Sequence, residues 1–180
     1  MAFIDIHGHY AWDIDDGIPS HEDAKKALEK AKNNRISTIV ATPHVVSGKH
    51  TLKDLEVIKD RIHDLKELAK VYNIEVLEGC ELFLNHDYLE ALEQNIFIPI
   101  ENTHYLLVEF DVRKELGNEN EVEDRLYEIQ YKGYTPVIAH VERYFKDSLD
   151  IERIQDFIDN GYLIQVNATS FLGYHGKHAQ

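Results

Sequence analysis

Near its start the chain reads Asp5-Ile6-His7-Gly8-His9, which sets two histidines one residue apart. Side chains on a β-strand alternate faces, so His7 and His9 leave the same side together if the stretch is extended. Phe3, Ile4 and Ile6 supply the apolar run that such a strand needs. Imidazoles held this close repel one another once protonated, whereas a divalent metal holds both as neutral ligands. Carboxylates at Asp13, Asp15 and Asp16 follow within one loop. Taken alone the stretch has two readings, because the chain carries 11 histidines and Asp15-Asp16-Gly17 is also an ordinary turn sequence. The elements that would position further ligands decide between them.

The chain has 180 residues, 43% hydrophobic and 29% charged, which is enough for one domain with a substantial core and unlike a disordered composition. The formal net charge is -14 and the Lys and Arg residues are dispersed. Such a surface repels phosphate backbones, which argues against a nucleic-acid partner, and it admits a small anionic substrate only where local cations override the field. There is no apolar run long enough to span a bilayer and no leader-like segment, so no membrane insertion is expected. The single cysteine, Cys80, excludes an internal disulfide and suits a reducing cytoplasm, the expected location.

Apolar runs alternate with amphipathic ones along the whole chain. Ser20, with Asp23 three residues later, opens a helix carrying Ala24, Ala27, Leu28 and Ala31 at helical spacing. Ser37–Ala41 reads as a buried strand ending at Thr42-Pro43-His44, and Thr51 opens a long helix with Leu55, Ile58, Ile62, Leu65 and Ala69 on one face. A third strand over Ile74–Leu77 leads to Glu78-Gly79-Cys80-Glu81, and a short helix follows around Tyr88–Leu92. Tyr105–Phe110 is a fourth strand, and a helix over Glu119–Tyr131 stops at Gly133. Pro136–Ala139 is a fifth strand ending in His140. Ser148 begins a helix with Ile151, Ile154 and Ile158, and Leu163–Val166 is a sixth strand. This β-α-β-α series implies a parallel sheet covered by helices, as a barrel or a doubly wound sheet. No Gly-x-Gly-x-x-Gly or Walker loop is present, so a nucleotide-binding reading lacks its motif.

The strand ends carry the chemistry. Successive strands deliver His7 and His9, then His44, Glu81, Glu109 and His140. In parallel α/β folds the carboxyl ends of the strands converge on one face, where sites are built. A bland reading exists for each residue: His44 as a loop cap, Glu81 at an exposed turn, His140 in an ion pair with Glu142 and Arg143, Cys80 as a small core residue. Glu109 is the harder one to dismiss, since a carboxylate inside Leu106-Leu107-Val108-Glu109-Phe110 needs a partner or a raised pKa. Jointly they describe a metal centre. Imidazoles and carboxylates without thiolate favour catalytic Mn, Fe or Zn over structural zinc, and so many ligands point to more than one ion. Two or three close metals suit phosphoester hydrolysis, and Arg143, three residues past His140, is placed to hold a phosphate oxygen bidentately.

These motifs together resemble the polymerase-and-histidinol-phosphatase (PHP) superfamily: Asp5-Ile-His7-Gly-His9, Asp15-Asp16-Gly17, Ala41-Thr-Pro-His44, Gly79-Cys-Glu81, Val108-Glu109-Phe110 and His140-Val-Glu-Arg143. Within it they are most similar to the bacterial PHP-type protein tyrosine phosphatases of capsule and exopolysaccharide clusters. The resemblance implies a distorted TIM-like (β/α)7 barrel and a manganese-dependent site of two or three ions. It implies His7, His9, Asp16, His44, Glu81, Glu109 and His140 as metal ligands, His44 and Arg143 as catalytic residues, and Arg143 as the phosphate binder. It further implies attack on phosphorus by a metal-bridging hydroxide, and as substrate the phosphotyrosines of a bacterial tyrosine kinase controlling capsule or exopolysaccharide synthesis. The family has a further strand with an Asp-x-His motif, and often a second phosphate-contacting Arg beyond it, neither of which the chain reaches. Its 180 residues also fall short of the roughly 250 of a complete barrel. The expectation is therefore a single, C-terminally shortened domain over residues 1–180 with about six parallel strands, an incomplete ligand set and weakened turnover. An open edge would invite pairing with a second copy or another chain. Two other readings keep the same ligands: a phosphatase for a small phosphomonoester such as histidinol phosphate, and an inactive metal-binding domain that regulates a kinase by docking.

Overall fold

A computed structural model describes residues 2–116 and 119–174. Strands and helices alternate as the hydrophobic pattern requires. Strand β1 (Phe3–Gly8) is followed by helix α1 (His21–Asn33), whose N-terminus is capped by the Ser20 hydroxyl accepting from the Asp23 N–H. Helix α2 (Leu52–Ala69) starts in a full capping box between Thr51 and Asp54 and buries Leu55, Ile58, Ile62, Leu65 and Ala69 along one face. Helices α3 (Tyr88–Glu93) and α4 (Glu119–Tyr131) follow, and Gly133 after α4 takes φ +88°, a conformation that favours glycine.

Helix α5 (Ile151–Asp159) differs from expectation at its start and on its face. Its cap is the Asp150 carboxylate, which accepts from the Arg153 N–H, so the helix begins after Asp150 rather than at Ser148. Ile151 and Ile158 are 65% and 49% exposed. The wide ring of Phe157, with Arg153 one turn earlier, takes the buried centre of the helix and leaves these isoleucines at its rim.

The strands form two parallel sheets, β1-β2-β4 and β3-β5-β6-β7-β8. Here β2 is Ile36–Ala41, β3 His44–Val46, β4 Glu75–Glu78, β5 Glu81–Phe83, β6 Tyr105–Glu109, β7 Thr135–Ile138 and β8 Leu163–Ile164. The division is local. β2 and β3 are one run of chain bent at Thr42-Pro43, where proline supplies no N–H to a ladder. β4 and β5 are one run bent at Gly79-Cys80. Because β2 pairs with β4 before the bends and β3 with β5 after them, the two runs stay neighbours throughout. Traced this way, the strands lie in sequence order, which is the order of a barrel and excludes a doubly wound sheet. Among the described residues nothing pairs β1 with β8, so the barrel is open there. This agrees with the expected six-strand, incomplete barrel, although the last strand ends its ladder at Ile164 rather than Val166.

A large cluster of buried residues fills the space between strands and helices, and Leu107, Val137 and Ala139 form a smaller one. No described helix is long and apolar enough to cross a membrane. At the end of β6 the Phe110 N–H donates to the hydroxyl of buried Tyr144 at 2.9 Å, which ties the strand end carrying Glu109 to the turn after β7. Replacing Tyr144 with Phe keeps the shape but strands a buried N–H, and such groups cost roughly 1–3 kcal/mol. Urea unfolding of Tyr144→Phe should show a loss of about that size; a stability equal to the parent's would contradict the assignment.

Candidate metal centre

The register of the strands, not sequence proximity, assembles this site. β3 and β5 pair with His44 opposite Glu81, and β5 and β6 pair with Phe83 opposite Glu109. β1 is held at its carboxyl end by Thr42, whose hydroxyl accepts from the Gly8 N–H at 3.0 Å while its own N–H donates to the Gly8 carbonyl at 2.9 Å. That clamp lies between His7 and His9 and fixes both relative to β2. His140 leaves β7 in a left-handed conformation, φ 33° and ψ 53°, which turns its ring back toward the strand ends.

Glu81 is the hub. Its side chain is 1% exposed, and one oxygen lies 3.1 Å from His7 Nε2, 3.1 Å from His9 Nε2 and 3.3 Å from His44 Nε2. Its other oxygen is 2.8 Å from His140 Nε2. Glu109 lies beside it, 3.0 Å from His44 Nε2 and 3.4 Å from His140 Nε2. All six strand-end residues singled out from the sequence therefore meet at one place. The ion pair considered for His140 with Glu142 and Arg143 is not formed: the buried Glu142 carboxylate accepts from the Asn167 N–H and the Ser170 hydroxyl instead.

The loop after β1 divides its two adjacent carboxylates between different tasks. Asp15 points inward, where one oxygen accepts from the Gly17 N–H at 3.0 Å. The other accepts from the His44 N–H at 2.9 Å and lies 2.6 Å from His9 Nδ1. Asp16 is largely exposed and presents an oxygen 3.1 Å from His44 Nδ1. Gly17 is required by close approach, since a Cβ there would come within 2.3 Å of the His9 Cβ. Helix α2 steadies the loop from outside through Arg61, which donates to the Trp12 carbonyl at 2.8 Å and stacks over the Trp12 ring.

Electrostatics follow from this crowding. Ligand atoms of His44, Glu81 and Glu109 all lie within 4.8 Å of one another. Two unpaired carboxylates at that separation repel by roughly 3–4 kcal/mol at an effective dielectric near 20, so the cluster requires positive charge. Without a cation the imidazoles supply it. Burial pulls His9 and His44 down, but hydrogen bonds and charge from Asp15, Glu81 and Glu109 outweigh it and push them up to about 9 and about 10. His140 is raised for the same reason by Glu109 and Glu81. Burial pushes Asp15 and Glu81 up, and their imidazole partners more than reverse this, leaving both below the usual carboxylate range. Glu109 thus has the partner that its apolar strand demanded rather than a raised pKa.

The donor set fits divalent cations. Four imidazoles and the carboxylates of Asp16, Glu81 and Glu109 mix nitrogen and oxygen without thiolate. The ionised Asp15 accepts the Nδ1 proton of His9, which leaves His9 Nε2 with the lone pair that a metal would take, the arrangement common at metal sites. Both ring nitrogens of His44 face carboxylates, which ties it to the cluster. The cluster opens into a cavity of about 470 Å³ also lined by Arg143, Arg113, Phe83 and Phe110. Arg113 is held in a bidentate pair with Asp111, whereas the Arg143 guanidinium has no hydrogen-bond partner among the described residues.

Two contributors were not assigned from the sequence. Asp15 has the same sequence setting as Asp13 and Asp16, and only the fold shows that it faces inward while Asp16 faces the cavity. Gln165, whose Oε1 is 2.9 Å from His7 Nδ1, stood inside an ordinary apolar strand end. Its one sequence signal is a polar side chain at an alternating position of Leu163-Ile164-Gln165-Val166.

Similarity to known proteins runs over nearly the whole chain. The family model for CpsB/CapC, capsular polysaccharide synthesis, matches residues 3–180. The chain is 32% identical to tyrosine-protein phosphatase CpsB of Streptococcus pneumoniae over 167 residues, covering 92% of this chain and 67% of that protein. It is 30% identical to the putative tyrosine-protein phosphatase CapC of Staphylococcus aureus over 177 residues, covering 97% and 68% respectively. The chain thus spans about two thirds of the length of these relatives. A solved structure, from work on YwqE of Bacillus subtilis and CpsB of Streptococcus pneumoniae as metal-dependent tyrosine phosphatases, superposes with a TM-score of 0.76. It has 26% identity and covers 98% of this chain and 71% of that one.

The protons held by the cluster give a pH dependence. With His9 and His44 raised to about 9 and about 10, the metal-free folded chain binds more protons than the unfolded one above the ordinary histidine value near 6.5. Their stabilisation is complete below that value and lost as pH rises toward 10. Chelator-treated protein should therefore unfold at lower urea concentration at pH 9.5 than at pH 6.5. An unchanged or higher midpoint would contradict the charge assignment.

Proposed function

The chain belongs to the CpsB/CapC family of capsular polysaccharide synthesis, and from that premise we propose that it is a metal-dependent tyrosine-protein phosphatase. The observation that carries the reading is the convergence of four imidazoles and two buried carboxylates in one cavity, beside an arginine with no hydrogen-bond partner among the described residues. The names of the relatives and of the structural neighbour support the same activity.

In this reading His7, His9, Asp16, His44, Glu81, Glu109 and His140 hold the metal, with Mn2+ as the proposed ion. Bound there, divalent cations lower the pKa of water and draw charge from a phosphoryl oxygen. The protein's own groups do the rest. Arg143 takes phosphate oxygens through its planar guanidinium, a geometry that a point charge does not supply. Phe83 and Phe110 give the cavity an apolar wall for a phenyl ring. Asp15 keeps His9 in one tautomer, and Thr42 keeps His7 and His9 in place. The chain's net charge of -14 makes these local cations a condition of binding a phosphorylated peptide at all. The proposed substrate is the phosphotyrosine of a bacterial tyrosine kinase acting in capsule or exopolysaccharide synthesis.

A cysteine route is unsupported. Cys80 is fully buried, accepts a hydrogen bond from the Ile98 N–H, and has its thiol pushed up to about 12 by desolvation, so it offers no thiolate nucleophile. Hydrolysis of a phosphotyrosine peptide should require added Mn2+ and stop with chelator. Arg143→Ala should lower kcat/KM about 10²–10³-fold, the scale for losing one group that stabilises developing charge. Cys80→Ser should retain the parent's rate. Turnover that survives chelation, or that disappears in folded Cys80→Ser, would overturn the proposal.

A further inference from the structure

We infer that Gln165 is a positioning residue for the metal centre, setting the ligating nitrogen of His7 and the backbone from which His140 reaches the cluster. The inference rests on the reading of His7 and His140 as ligands. Gln165 follows β8, an edge strand that contributes no ligand, and its side chain is buried. Its Oε1 accepts from the His140 N–H at 2.7 Å and lies 2.9 Å from His7 Nδ1, while its Nε2 donates to Asn167 Oδ1 at 3.0 Å.

This network leaves one choice of proton positions. A backbone N–H can only donate, so the atom facing His140 is the amide oxygen and not the amide nitrogen. The same oxygen faces His7 Nδ1, so that nitrogen must carry the proton and donate. His7 Nε2, which points at Glu81, is then the nitrogen with the free lone pair once a cation is bound. Gln165 does for His7 what Asp15 does for His9, with a neutral amide in place of a carboxylate.

The second task concerns His140. Its φ of 33° is one that a non-glycine residue holds only when its surroundings enforce it. Gln165 contributes three bonds to that stretch. Its N–H donates to the Ile138 carbonyl at 2.9 Å, its carbonyl accepts from the Val141 N–H at 3.1 Å, and its side chain accepts from the His140 N–H. The His140 ring has no equivalent support, because its Nδ1 is buried without a hydrogen-bond partner among the described residues. The backbone therefore aims this ligand, and Gln165 is what fixes the backbone.

The test compares Gln165→Leu, which keeps the bulk but removes the acceptor, with Gln165→Glu, which keeps an oxygen facing both donors. Mn2+ affinity is measured by competition with a chelator, and the His7 ring is observed by 15N NMR of zinc-loaded protein. Losing such a support typically weakens metal binding 10–100-fold, so Gln165→Leu should show about that loss and a weakened or missing Nδ1–H signal. Gln165→Glu should restore affinity to within a few-fold of the parent and keep the signal. Equal affinity in Gln165→Leu and parent overturns the inference and leaves the metal centre standing. Loss in both variants reduces Gln165 to a packing role and also overturns it. A parent chain that binds no Mn2+ overturns the metal reading, and this inference with it.

Discussion

A single buried carboxylate sets the terms for the rest of the structure. Glu81 meets the Nε2 atoms of four histidines drawn from β1, β3 and the end of β7, and its side chain is almost wholly shielded from water. A buried charge of this kind persists only when it is paired. Its pairing is satisfied in two ways by the same atoms: protons on the imidazoles, or divalent cations between imidazole and carboxylate. The raised His9, His44 and His140 and the lowered Glu81 describe the first state. The second replaces those protons, so metal uptake releases them and strengthens with pH.

Holding four imidazoles around one carboxylate demands strand ends that converge, and the sheet is shaped to provide them. The bends at Thr42-Pro43 and Gly79-Cys80 let two neighbouring runs turn together without losing their pairing, and the residues just past the bends are His44 and Glu81. Around this inner set lies a layer that fixes it: Asp15 on His9, Thr42 on the β1 end, Tyr144 on the Glu109 strand end, and Gln165 on His7 and His140. The cavity in front is lined by aromatic rings and the Arg143 guanidinium, complementary to an aromatic phosphate.

Much of this is legible in the sequence alone. Strand ends are readable because an apolar β-branched run that stops at a histidine or acid is unusual, and parallel topology sends such ends to one face. His7, His9, His44, Glu81, Glu109 and His140 were all visible for that reason. What escaped depends on three-dimensional facing. Asp15 and Asp16 are adjacent and identical in type, and only the loop closed over Gly17 decides which turns inward. Gln165 meets His7 across 158 positions of sequence, in a strand whose pattern looks like any other. The bends were invisible because pairing continues across them. The exposed Ile151 and Ile158 show the limit of counting apolar spacing without weighing size, since Phe157 took the buried place.

The proposed metal centre makes Glu81 the hub of a metal cluster rather than of a proton-filled polar core. Anomalous scattering at the manganese edge, from crystals of this chain grown with Mn2+, tests it most directly. If Glu81 is that hub, anomalous peaks lie within coordination distance of Glu81 and the Nε2 atoms of His7 and His9, with at least one further peak toward Glu109 and His140. A well-ordered structure that contains Mn2+ elsewhere, with no peak beside Glu81 and the imidazoles still hydrogen-bonded to it, would make Glu81 the hub of a polar core instead.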